Sequence, residues 1–120
     1  MSLTYLFVDD LGLSQRQGLR RQVTPASKLA DPVLRASTPW EVRQPGDHRL
    51  YLYGTVLADP ERGGWRMWYS PFPGGLCLAH SSDGATWTRV PLPLVPEGDL
   101  RLTNQLAMPA PLHSPSMVLD

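Results

Sequence analysis

The side chains able to do chemistry in this chain are few, and most are carboxylates. Glu41 follows Pro39 and Trp40, which places an acid or base beside a flat aromatic plane. Asp9 and Asp10 end a short apolar run that reads as a strand, so they point to opposite faces and cannot act as a pair with each other. Asp31 precedes Pro32 and Asp59 precedes Pro60, positions at which a carboxylate commonly bonds a turn. Asp83 precedes Gly84 and is expected to bond its own turn backbone. His80 falls on the apolar face of a β-run and reads as a core histidine, whereas His113 opens the last segment and is the better binding candidate. Neither His113 nor His48 has a partner at metal-ligand spacing, so no metal and no cofactor is expected. A Gly-rich phosphate loop and a Ser-His-Asp arrangement are not recognisable.

These residues must be positioned by short elements. The chain holds 13 prolines and 10 glycines in 120 residues, which favours turns over long helices. "TYLFV" (4–8) reads as a strand, and residues 11–49 are too often interrupted by Gly and Pro for a helix of ordinary length. So long an irregular arm is uncommon in a compact domain, which predicts that it packs on a surface supplied from elsewhere. From Leu50 the pattern changes. "LYLYGTVLA" (50–58), "WRMWYS" (65–70), "LCLAHS" (76–81) and "TWTRVPL" (86–92) alternate as strands and are joined by short turns, one of them the Asp-Gly hairpin signal in "SDGA".

In the second run Trp65, Met67 and Tyr69 share one face, with Arg66, Trp68 and Ser70 on the other. Cys77 and Ala79 make a small-residue face suited to close packing. The reading is all-β: an antiparallel meander over 50–92, preceded by a strand and arm over 1–49. A Pro-rich connection (93–111) follows, and 112–120 resembles the first strand again. A meander followed by its own first strand is the pattern of radial β-repeats, in which one blade cannot bury both faces alone. The expectation is therefore one four-stranded propeller blade plus the first strand of a second. The parent is expected to be a longer, five-bladed protein, or the chain to pair with others.

Composition narrows the partners. With 11 basic and 11 acidic residues the net charge is zero, and neither half of the chain builds a basic field for nucleic acid or an anionic membrane. A single cysteine, Cys77, excludes an internal disulfide. The N-terminal apolar run lacks a basic flank and is broken by Asp9 and Asp10, so neither a signal peptide nor a membrane span is predicted, and cytoplasm is the default location.

The segments "DPVLRASTPWE" (31–41), "YGTVLAD" (53–59), "WRMWYS" (65–70), "CLAHSSDGATW" (77–87) and "HSPSMVLD" (113–120) together resemble the N-terminal region of five-bladed β-propeller glycoside hydrolases, near families 32 and 43. The most specific part is Pro39-Trp40-Glu41 combined with Met67-Trp68-Tyr69 and with Ser82-Asp83-Gly84 and Trp87. The resemblance implies three carboxylates around a central funnel, one protonated and one ionised at the same pH, flanking an oxocarbenium-like transition state. On it, Glu41, Asp31 and Asp10 are the catalytic candidates, Asp31 because "ADP" is similar to the motif that carries the base in family 43. Trp40, as a stacking platform, and His113 are the substrate-binding candidates.

The third blade, which carries the acid in that family, has no counterpart here. The expected function is therefore a catalytically incomplete N-terminal portion of a carbohydrate-active propeller with a carbohydrate ligand. A non-catalytic carbohydrate-binding or scaffolding module, or an inactive truncated gene product, is the alternative.

Overall fold

The structure, a computed structural model, describes residues 9–10, 12–18, 20, 22–72, 74–108 and 113–118. The strand expected at 4–8 lies outside the described residues. Among those described the regular elements are all β: β1 (Leu50–Tyr51), β2 (Val56–Ala58), β3 (Trp65–Pro71), β4 (Cys77–Ser81) and β5 (Thr88–Arg89). β1 and β2 both pair with β3, β3 with β4 and β4 with β5, all antiparallel. The predicted meander is present, with a divided first strand and a fourth strand of two residues.

The division has a steric cause. Between the pairs Tyr51↔Ser70 and Val56↔Met67, residues 52–55 face only residues 68 and 69, so the first strand bulges outward. Gly54 sits in the bulge, where a Cβ would fall on the carbonyl oxygen of Trp68. The ladder resumes as Trp68 N–H donates to Thr55 O at 3.0 Å.

The turns are held by the carboxylates assigned to them. Asp59 Oδ1 accepts from the Glu61 and Arg62 amides at 3.0 and 3.1 Å, and Arg66 grips the same carboxylate through Nε and Nη2 at 2.7 and 2.8 Å. The hydrogen bonds from Arg66 hold the Asp59 carboxyl at about 2. Asp83 Oδ1 accepts from Thr86 and Ala85 amides at 2.7 and 2.8 Å, and these hold its pKa at about 2. His80 lies across from Arg66 with a ring nitrogen 2.8 Å from Gly63 O, so the otherwise apolar face ends in a polar cluster.

Alternation on β3 and β4 sets the core. Tyr69 is opposite Cys77 and Met67 opposite Ala79, so small side chains leave room above them for Trp40, and all five are buried. Leu34, Leu50 and Trp87 pack around this cluster. Here the arm departs from expectation. Residues 34–41 cover the meander's own face, so that part of the arm needs no surface from elsewhere. Trp68 is buried on the opposite face across from Leu78, whereas Trp65, at the far end of β3, stays 43% exposed.

The Pro-rich connection is irregular but not peripheral. Leu78 N–H donates to Asn104 O at 2.9 Å and Leu106 N–H to Leu76 O at 2.8 Å, covering the half of the β4 edge that β5 leaves open. Thr103, Asn104 and Gln105 are buried as a result. Residues 113–118 are in no strand; Met117 N–H donates to Thr55 Oγ1 at 3.0 Å, bringing them back to the bulge of the first strand. The beginning of a second sheet expected over 112–120 is thus not seen in 113–118, and 112, 119 and 120 lie outside the described residues.

Candidate functional site

Glu41 is positioned by its own local sequence. Thr38-Pro39-Trp40-Glu41 forms one tight turn in which Glu41 N–H and Val42 N–H both donate to Thr38 O, at 3.0 and 2.9 Å. Glu41 Oε2 folds back to accept from the Thr38 and Ser37 amides at 3.2 and 3.0 Å, the glutamate half of a capping box with proline at the first turn position.

Three more donors close on the carboxylate. Arg89 of β5 donates through Nε to Oε1 at 2.8 Å and through Nη2 to Oε2 at 2.6 Å, and Tyr69 O–H donates to Oε1 at 2.5 Å. The Glu41 side chain is 0% exposed. Burial alone raises its pKa, but the bonds from Arg89, Tyr69 and Ser37 outweigh burial and hold it below the ordinary carboxylate range.

The cluster extends through Tyr69. Asn104 Nδ2 donates to the tyrosine oxygen at 2.7 Å and to Leu78 O at 3.0 Å, while Trp40 Nε1 donates to Asn104 Oδ1 at 2.7 Å. Arg89 Nη2 also reaches Arg35 O at 2.7 Å. Arm, β3, β5 and connection therefore meet in one polar network. Burial, then the Glu41 bond, pushes the Tyr69 hydroxyl above its ordinary range, and burial pushes the Cys77 thiol up to about 12. Neither is an acid or nucleophile near neutrality.

Trp40 and Glu41, expected at the mouth of a funnel, are both inside, with Trp40 only 6% exposed and both Glu41 carboxylate oxygens engaged. Sequence reasoning missed Arg89, Tyr69 and Asn104 as their partners. The signal at hand was the Thr38-x-x-Glu41 spacing, which marks a turn-capping glutamate. Asp31 is exposed and paired with Arg35 Nη2 at 2.5 Å, and Asp10 is exposed with Arg16 at 3.9 Å. Asp31 and Glu41 are joined through the arm, since Arg35 O takes a bond from Arg89, which also holds Glu41.

His113 lies in different company. Its ring stands 5.1 Å from Tyr53, which stacks on Tyr51 at 4.8 Å and 9°, and Tyr51 meets Phe72 edge-on at 6.3 Å. Arg49 caps the far end over the Phe72 ring at 3.8 Å. This row lines a surface cleft of about 200 Å³ with Ser70 and Gly74. Tyr51 and Tyr53 face the same way because they are two residues apart on an extended segment. Tyr53 is 43% exposed.

No family model, no curated protein and no solved structure matches this chain. The functional reading rests on the geometry. Among the described residues no three His, Cys, Asp or Glu side chains are grouped to hold a metal, and no helix is long and apolar enough to cross a membrane.

Proposed function

We propose that this chain is a carbohydrate-binding β-module, one blade of a propeller-type carbohydrate-active protein, that recognises sugar without cleaving it alone. The observation that carries the reading is the aromatic row Phe72, Tyr51, Tyr53 and His113 along an open cleft. Aromatic side chains pack against the apolar CH face of a pyranose, and the tyrosine hydroxyls and Ser70 beside them suit its hydroxyls.

The blade reading is supported by the antiparallel meander and by Leu52, Val56 and Trp65, large apolar side chains left exposed on and beside it for a neighbouring blade to cover. The non-cleaving reading is supported by the acids. Glu41 is enclosed by donors, and the exposed Asp31 is drawn to Arg35, so the two do not flank a common space as glycoside cleavage requires.

Retention of the purified chain on a panel of immobilised polysaccharides tests the proposal. At least one glycan is expected to retain it, and Tyr53→Ala is expected to weaken that retention about fivefold to tenfold with the circular dichroism spectrum unchanged. A wild-type chain that no glycan retains, or a Tyr53→Ala variant retained as strongly as the wild type, contradicts the reading. Hydrolysis of aryl glycosides by the chain alone contradicts its non-cleaving part.

A further inference from the structure

The arm and the first strand run side by side at residues 32–36 and 48–52 and leave a crevice between them, which borders the aromatic row at Tyr51. At one end is a space of about 390 Å³ whose charged or ionisable wall residues are Arg35, His48 and Arg49, set against Leu34, Ala36 and Leu50. Adjoining it is a space of about 230 Å³ that shares Pro32, Leu34 and Leu50 and ends against Val33, Tyr51, Leu52, Met67 and Tyr69. The crevice is thus cationic at one end and apolar at the other.

The acids that pair with its arginines stand behind them. Asp47 grips Arg49 through both oxygens, Oδ1 to Nε at 2.8 Å and Oδ2 to Nη2 at 2.7 Å, and Asp31 holds Arg35 through Oδ1. Neither aspartate belongs to the walls of the two spaces. The Arg35 guanidinium is therefore held from outside the crevice, whereas that of Arg49 is doubly held by Asp47 and lies over the Phe72 ring. The Arg35–Asp31 pair is exposed on both sides, at 66% and 81%, and an exposed pair of this kind contributes little and yields readily to an incoming anion.

We infer that the crevice binds a small organic anion with an apolar body, an alkyl or aryl carboxylate. The carboxylate lies at Arg35, in place of Asp31, and the body lies over Leu34, Leu50 and Met67. The size is that of a small-molecule site. The inner wall is mostly aliphatic and its Tyr69 hydroxyl is already bonded to Glu41 and Asn104, so it offers little to the hydroxyls of a sugar, which sets this ligand class apart from the one assigned to the aromatic row.

Octanoate, used below its micellar concentration, is the probe, with 1-octanol as the neutral-headed control and acetate as the headgroup alone. The methyl resonance of Met67 in the full chain reports occupancy. Octanoate is expected to shift it saturably, with octanol and acetate at least about tenfold weaker. Arg35→Gln, an exposed position whose fold is checked by circular dichroism, is expected to weaken octanoate about tenfold and to leave octanol unchanged. Equal binding of octanol and octanoate, an Arg35→Gln variant that binds octanoate like the wild type, or a Met67 methyl that does not move would each overturn the inference.

Discussion

Glu41 has both oxygens committed to Arg89, Tyr69 and two backbone amides, and its partners come from β3, β5 and the arm. Removing its charge leaves the Arg89 guanidinium facing an uncharged amide in a largely buried place. Glu41→Gln is therefore expected to destabilise the fold by about 3 kcal/mol, read from the urea midpoint at pH 7. An unchanged midpoint would mean that the network adds nothing.

The pH dependence has a definite sign. The Glu41, Asp59 and Asp83 carboxyls all bind a proton less readily in the folded chain than in the unfolded one, Asp59 and Asp83 having moved from 3.8 to about 2. The stability they contribute is whole above their unfolded pKa values and is lost as pH falls through the folded ones. Thermal melts are expected to be level between pH 5 and 7 on this account and to fall progressively from about pH 4 toward 2. Glu41→Gln should flatten part of that fall.

At the scale of elements, the alternation of 65–70 and 76–81 was enough to find β3 and β4 and to pair Cys77 with Ala79 on one face, because side-chain period and burial agree there. The break between β1 and β2 was not legible. Gly54 is required by the Trp68 carbonyl across the sheet, and no neighbour in sequence reports that contact. Gly54→Ala is expected to cost about 2 kcal/mol and to disturb the amide resonances of Thr55 and Trp68 first, with those of the 82–86 turn unchanged. Nor did the Pro-rich connection show that Asn104 and Leu106 would pair with β4, since its prolines speak against regular structure and say nothing about isolated bonds. Asp59 and Asp83 were read correctly as turn residues because the bonds that hold them are local.

Over the whole molecule, one residue of the arm binds it to two other segments, β3 and β5, and this alters where function is to be sought. Sequence adjacency made Trp40 and Glu41 look like a stacking plane beside an acid, but whether such a pair faces solvent depends on what the arm covers. That is set by Arg89, Tyr69 and Asn104, which lie 28 or more residues further along the chain. His113 was visible as a candidate, while the row it completes was not, because Tyr51, Tyr53 and Phe72 come from two separate segments.

The most direct test is amide chemical-shift mapping of the full chain titrated with a glycan that retains it. The account predicts perturbations grouped at Tyr51, Tyr53, Phe72 and His113, with Trp40 and Glu41 unmoved. Perturbations centred on Trp40 and Glu41, with the aromatic row unmoved, would contradict it.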